Sequence, residues 1–344
     1  MNKKKTIAVL GGSFDPIHAG HLQIARSALH MGMDEVWLMV PKDTPLKDRT
    51  LSSAADRTAM IERAIAPYRH IHCCRLELER EGKSYTIDTV RELKRRYPSF
   101  SFFWLIGSDQ AAQLSAWKEV DALLEEVPFV VFSRAGADVI QHASYPLRYQ
   151  PMELVDVSSS EIRSGQKWYA LHPGVRRYIA QHHLYLESFV EGRLSAKRYA
   201  HSVRVAQLAT ELAQAHGLDE TIAWTMGLLH DIAKEMPKDQ LERWMTRFFP
   251  SLCEEPAAIW HGYVGSLLSK RLYGIEEKSV LRAIFHHVKG DCEDPYAMIL
   301  FCADKLERGR GYDSSEQIAL CSQDLHAGFL RVKNEQQAYL KKEK

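Results

Sequence analysis

The chain has 344 residues, 45% hydrophobic and 26% charged, with 45 basic against 44 acidic side chains and a formal net charge of +1. The length allows two domains, each with its own core. The even charge excludes a general electrostatic pull toward nucleic acid or an anionic membrane, so anion binding has to come from local sites.

Six cysteines (Cys73, Cys74, Cys253, Cys292, Cys302, Cys321) form no Cys-x-x-Cys pair. They read as reduced thiols, not as a disulfide framework or a zinc ribbon. The basic start, Met1 to Lys5, is followed by only a short apolar stretch, 7–10, before two glycines. That is too short for a signal core, and no stretch approaches the ~20 apolar residues of a membrane span. A cytoplasmic protein with no membrane or nucleic-acid partner is expected; a homo-oligomer stays open.

Residues 6–10 predict a buried parallel strand, closed by Gly11-Gly12, with a helix opening at 18–21. A second strand covers 36–40 and stops at Pro41. Helical spacing follows over 54–66, a strand over 71–78, and a helix over 86–97 that halts before Pro98. Residues 102–106 and 129–132 read as further strands, the first ending at Gly107. Alternating strands and helices predict a doubly wound parallel sheet, α/β in class.

Beyond about Tyr185 strand signals vanish. Helical patterns fill 196–216, 220–234, 238–248, 263–272, 278–287 and 297–306, so the second half is expected to be all-α. The expected domains are 1–186 and 187–344, without internal repeats, and with a charged tail, 336–344, that frays.

The first chemical motif is Gly11-Gly12-Ser13-Phe14-Asp15-Pro16-Ile17-His18-Ala19-Gly20-His21. Glycines after a strand let backbone N–H groups approach a phosphate, and a helix N-terminus adds positive potential. His18 and His21, three apart, share a helix face. Gly20 removes a side chain that would block a nucleotide. An isolated histidine pair would ordinarily be surface polarity; its place after a strand–Gly–Gly turn favours a triphosphate site. Imidazoles there stabilise charge developing at phosphorus, and catalysis is positioning and charge stabilisation. A later segment, Ser158-Ser159-Ser160-Glu161-Ile162-Arg163, reads as a serine cap opening a second phosphate-facing helix.

With Pro45-Leu46-Lys47, Ser84-Tyr85-Thr86-Ile87-Asp88-Thr89 and Ile106-Gly107-Ser108-Asp109-Gln110 added, residues 6 to about 185 resemble the bacterial nicotinate-mononucleotide adenylyltransferases. The resemblance implies a Rossmann-like domain that joins ATP, carried with Mg²⁺, to nicotinate mononucleotide, giving deamido-NAD and pyrophosphate. It implies His18, His21, Lys47 and Arg163 as catalytic. Gly11, Ser13, Phe14 and Ser160 would contact the substrate, Gly107 and Asp109 the adenosine. Tyr85, Thr86 and Trp117 would hold the nicotinate ring. Ser108 and Ser160 stand where alanine and threonine are common, which conserves size.

The second motif set is helical: His201, His230-Asp231 at the end of an apolar run, His261, His286-His287 and Asp304. Burying such groups unpaired costs several kcal/mol, so a metal or a hydrogen-bond network is expected. A ligand set of histidine and carboxylate without cysteine suits iron, manganese or similar cations.

Arg198-Tyr199-x-His201-Ser202, Gly227 to Lys234, His261-Gly262, Ala283-Ile284-x-x-His287 and Ala303 to Arg310 resemble the HD superfamily, and within it the symmetrical diadenosine tetraphosphate hydrolases. The resemblance implies an HD-type helical bundle that splits diadenosine tetraphosphate into two ADP with Fe²⁺ or a similar divalent metal. It implies His201, His230, Asp231 and Asp304 as ligands of a first metal, with Asp231 also catalytic. His261 and His287 would serve a second metal or the phosphates. Lys234 and Arg310 would contact phosphates, with His286 a bystander. The segment Val288-Lys289-Gly290, where hydroxyl residues are usual, and Arg308, where proline is common, depart from the pattern near the expected nucleotide. Alternatives remain: another acceptor, nicotinamide mononucleotide or phosphopantetheine, for the first half; another nucleotide, or a regulatory sensing role, for the second.

Overall fold

The computed structural model describes residues 4–42, 51–134, 145–153 and 155–342. The chain divides into two compact units. One comprises Met1–Ile162 with Lys167–Tyr178, the other Arg163–Gln166 with Ile179–Lys344. The chain passes between them at 162/163, 166/167 and 178/179, the last slightly before the boundary expected at 186.

The first unit is built on six strands, β1 Lys5–Gly11, β2 Glu35–Met39, β3 Ile71–Cys74, β4 Phe100–Gly107, β5 Phe129–Arg134 and β6 Arg148–Met152. All pair in parallel, in the order β3-β2-β1-β4-β5-β6. Ile7, Ala8 and Val9 of β1 are fully buried because helices cover both faces, which is why the central strand reads as an unbroken apolar run. Helices α1 Ala19–His30, α2 Ala54–Ile65, α3 Thr86–Arg96, α4 Ser108–Ala112, α5 Val120–Glu126 and α6 Ser159–Arg163 connect or follow the strands.

Winding reverses between β1 and β4, so their C-terminal ends open the crevice where open α/β sheets take ligands. The glycine-rich turn after β1 and the Gly107 turn after β4 meet that crevice.

The structure departs from the expectations in several places. The strand expected over 71–78 ends at Cys74, and Leu76–Glu79 forms a 3₁₀ turn. As an edge strand, β3 pairs only with β2 and gains nothing from continuing past it. Strand β6 carries Pro151 and is mostly solvated, so it offers no apolar signal. The tail does not fray at 336: an 18-residue helix runs Leu325–Lys342. Phe329 and Val332 are buried at its start, and Arg331 pairs with Glu335 one turn on.

The second unit is helical. Continuing from α7 Pro173–Gln181 and α8 Leu186–Glu191, its centre is α9 Ala196–Ala215, α10 Glu220–Leu229, α11 Lys238–Phe248, α12 Trp260–Leu268, α13 Lys278–His286 and α14 Pro295–Leu306. Helices α15 Ser315–Gln323 and α16 Leu325–Lys342 close it. α14 is buried on every side over Ala297–Ala303, so it forms the bundle's core, with α9, α10, α13 and α16 packed on it. Helix α10 stops at Leu229, short of the expected 234, and 230–235 form turns.

Candidate active sites

In the first unit His18 caps α1 with an extended backbone. It is 7% exposed, and its backbone N–H donates to His21 Nδ1 at 3.3 Å. That bond occupies His21 Nδ1 as an acceptor, which leaves Nε2 as the nitrogen that can donate away from the cap. The two rings lie 3.8 Å apart, with Phe14 edge-on to His21 at 5.0 Å. Burial lowers the His18 pKa to about 4, against a small opposing pull from Glu161, so His18 is uncharged at neutral pH. Its Nδ1 is buried with no hydrogen-bond partner among the described residues. A Cβ at Gly20 would stand 3.2 Å from this ring, so glycine there gives the imidazole its place.

The turn is braced from two sides. Arg57, 1% exposed, donates to the carbonyls of Ser13 (3.3 Å), Pro41 (2.8 Å) and Ser52 (3.0 Å). Ser159 at the start of α6 donates to the Pro16 carbonyl at 3.0 Å. Ser158 and Glu161 cap each other there, the Ser158 N–H reaching Glu161 Oε2 at 2.8 Å and the Glu161 N–H reaching Ser158 Oγ at 3.2 Å. The serine run thus delivers a helix N-terminus to the glycine loop. Ser160 is exposed and Arg163 half-buried on the same short helix. Gly11 ends β1, and Ser13 and Phe14 lie buried in the loop that follows.

Past β4, the Asp109 carboxylate folds back until its oxygen lies 2.5 Å from where a Gly107 Cβ would stand. Tyr85 and Trp117 both border the core cluster that includes Ile87, Leu114 and Phe129. Trp117 meets Phe129 edge-on at 6.1 Å. Thr86 opens α3. Beneath this segment Thr89 donates to the buried Glu77 at 2.6 Å and accepts from Arg80 at 2.5 Å. Lys47 lies outside the described residues.

In the second unit α9, α10, α12, α13 and α14 converge on one centre. Gly227 permits it: a Cβ there would stand 2.4 Å from the Ala206 Cα, so α9 and α10 touch backbone to backbone. His201 Nε2 lies 3.1 Å from Asp304 Oδ1, and His230 Nε2 lies 3.7 Å from the same oxygen and 3.5 Å from Asp231 Oδ2. His261 and His287 reach Asp231 Oδ1 at 3.3 and 3.8 Å. Two sets emerge, His201/His230/Asp304 and His230/Asp231/His287, each with donor atoms within 4.8 Å of one another.

The donor set fits a cation. His230 Nδ1–H donates to the Gly227 carbonyl at 2.7 Å and His287 Nδ1–H to the Ile284 carbonyl at 2.6 Å, so both Nε2 atoms present lone pairs inward. His230 Nε2 is fully buried and makes no close hydrogen bond among the described residues, the nearest carboxylate oxygen being Asp231 Oδ2 at 3.5 Å. Burial would raise the Asp231 carboxyl, but His230 and His287 hold it well below the carboxylate range. Asp304 is likewise held down, by Lys305 and His201 against its burial. Burial with the neighbouring His287 and Lys234 lowers His261 to about 3. Burial thus pushes His261 and His287 toward the neutral form, the carboxylates are anionic, and Asp231 and Asp304 hold His230 above its ordinary value.

Cations rim this centre: Arg198 on Asp231 at 2.7 Å, Arg310 on Asp304 at 2.8 Å, Lys305 on Asp304 at 2.9 Å and Lys234 on His261 at 3.3 Å. His286 turns away, to Asp291 at 2.7 Å.

Sequence reasoning assigned nothing to Arg57, Arg198, Arg204, Lys305 or Glu307. Arg57 carried a signal: it occupies the apolar phase of α2 shared by Ile61, Ala64 and Ile65. Arg198, Lys305 and Glu307 lie inside the quoted motifs without a residue-level reason to single them out.

Known proteins resemble both halves. Residues 9–165 match the cytidylyltransferase-like family and residues 198–309 the HD domain family. The chain is 29% identical over 336 residues to a probable nicotinate-nucleotide adenylyltransferase/Ap4A hydrolase of Mycoplasma pneumoniae, covering 93% of this chain and 96% of that protein. It is 42% identical over 188 residues to a probable nicotinate-nucleotide adenylyltransferase of Shouchella clausii, covering 53% of this chain and 97% of that protein. A crystal structure from Clostridium acetobutylicum, described as a predicted HD superfamily hydrolase involved in NAD metabolism, is 28% identical with a TM-score of 0.44. It covers 46% of this chain and 86% of its own.

Proposed function

Given that this chain belongs to the nicotinate-nucleotide adenylyltransferase family, in the form that carries an HD domain behind it, we propose that it is a bifunctional enzyme with two separate phosphate-handling centres. Residues 1–186 transfer AMP from ATP to nicotinate mononucleotide, giving deamido-NAD and pyrophosphate. Residues 187–344 hydrolyse diadenosine tetraphosphate to two ADP. One observation carries the reading. Each centre holds a buried histidine nitrogen that makes no close hydrogen bond among the described residues, His18 Nδ1 and His230 Nε2, the latter facing only the Asp231 and Asp304 carboxylates at 3.5 and 3.7 Å, and such groups persist mainly where function keeps them.

In the first centre the acceptor's phosphate attacks the α-phosphorus directly, and pyrophosphate leaves. The chain supplies no nucleophile. His18 and His21, the N-terminus of α1 and the loop amides stabilise the charge that spreads over the phosphoryl oxygens. Lys47, Ser160 and Arg163 bind the triphosphate, which carries Mg²⁺. Gly11, Ser13 and Phe14 shape the floor, Gly107 and Asp109 hold the adenosine, and Tyr85, Thr86 and Trp117 hold the nicotinate ring.

In the second centre His201, His230, Asp231, His261, His287 and Asp304 would hold one or two divalent cations, Fe²⁺ or a similar ion. Bound there, such an ion supplies Lewis acidity toward water and phosphate. The chain's own part is orientation. The backbone carbonyls fix the imidazole tautomers. Lys234 and Arg310, both exposed at the rim, neutralise the tetraphosphate chain.

The test is a product assay on the full chain. His18→Ala lowers deamido-NAD formation about 10²–10³-fold and leaves dinucleotide hydrolysis unchanged; His230→Ala does the reverse. Preferred use of nicotinamide mononucleotide or phosphopantetheine would overturn the first assignment. Release of ATP with AMP in place of two ADP would overturn the second.

A further inference from the structure

His230 and His287 sit just past the last residues of α10 and α13, and each bonds the carbonyl three residues back. Helix ends leave such carbonyls free. His201 has no such option. It lies inside the 20-residue α9, where the surrounding carbonyls are taken by the helix's own hydrogen bonds. Something other than the backbone must orient its ring.

The group that meets it is Glu307, just beyond α14. Its side chain is 2% exposed, and Oε1 lies 3.1 Å from His201 Nδ1. Oε2 takes the Arg204 Nε–H at 2.5 Å and the Gly309 N–H at 2.6 Å. Arg204 is three residues beyond His201, on the same face of α9. Glu307 is therefore locked on one oxygen and aimed with the other at the outer nitrogen of His201, whose inner nitrogen meets Asp304 at 3.1 Å.

We propose that Glu307 is a positioning residue for the cation centre. It holds His201 in the Nδ1–H tautomer, so that Nε2 presents its lone pair beside His230 and Asp304, and its charge strengthens that ring as a donor. The inference rests on the cation reading of this centre. Glutamine cannot replace it. An amide has one acceptor oxygen, so its NH₂ would face either the His201 Nδ1–H or the Arg204 and Gly309 N–H groups.

The experiment titrates the metal-stripped full chain with Co²⁺, followed by visible absorption, and with Mn²⁺, followed by electron paramagnetic resonance. Glu307→Gln is expected to weaken affinity roughly tenfold to a hundredfold and to change the Co²⁺ band shape. Glu307→Asp, which keeps the charge, recovers part of the affinity. Adenylyl transfer stays at the wild-type rate in both variants; metal-free thermal unfolding of the glutamine variant is lowered, because a buried N–H group loses its acceptor, so the titrations are run at a temperature where each variant is fully folded. Wild-type affinity and spectrum in Glu307→Gln would overturn the proposal alone. A wild-type chain that takes up neither ion would overturn the cation reading and the proposal with it.

Discussion

His18 and His230 illustrate how position, not residue type, sets the state of an imidazole. His18 is buried with one weak carboxylate influence, so desolvation wins and it stays neutral down to about pH 4. His230 is just as buried, but Asp231 and Asp304 outweigh its desolvation and raise its pKa. For His18 the sign of the linkage follows. The unfolded chain binds a proton near pH 6.5, the folded chain only near pH 4. Between these values the unfolded state holds more protons, so stability rises with pH. The contribution is complete above pH 6.5 and is lost as pH falls toward 4. His18→Asn removes this group, so the difference in melting temperature between pH 7 and pH 5 should be smaller in the variant than in wild type. An unchanged difference would mean that His18 is protonated in the folded protein.

At the scale of elements, helix ends place the candidate site histidines in both units. Helix α1 begins at His18, α6 brings a capped N-terminus to the same loop, and α10 and α13 end at His230 and His287. The crossing of α9 over α10 sets the second centre. A methyl group on Gly227 would meet the Ala206 backbone at 2.4 Å. Gly227→Ala should cost about 1–3 kcal/mol through overpacking and push His230 away from His201. The expected result is a lowered unfolding temperature for the helical unit and weakened dinucleotide hydrolysis, with adenylyl transfer intact. Full hydrolysis in that variant would show that the two helices can separate without disturbing the centre. Arg57 has the corresponding role in the first unit, since it holds the Ser13, Pro41 and Ser52 carbonyls together where no strand or helix does so.

At the scale of the molecule, the proposed function makes the two centres depend on different things, one on imidazoles, backbone amides and helix ends, the other on a histidine and carboxylate set that could hold a cation. Prolonged dialysis against a chelator, followed by assay in Mg²⁺ alone, should abolish dinucleotide hydrolysis and spare adenylyl transfer; Fe²⁺ or Mn²⁺ should restore the lost activity. Loss of both activities together would contradict that independence. Among the described residues no helix is long and apolar enough to cross a membrane.

The amino-acid order by itself determined the local features. The alternation of strand and helix, α2 and α3 almost to the residue, and the glycine turn that carries His18 and His21 are readable because each depends on neighbours a few positions away. Only the tertiary structure decided which distant pieces meet. The strand order that opens a crevice between β1 and β4, the marginal strand β6 with its proline, and the pairing of His201 with Glu307 across 106 residues leave no periodic trace. Their stability comes from burial and long-range hydrogen bonds, and those exist only after the chain has closed on itself.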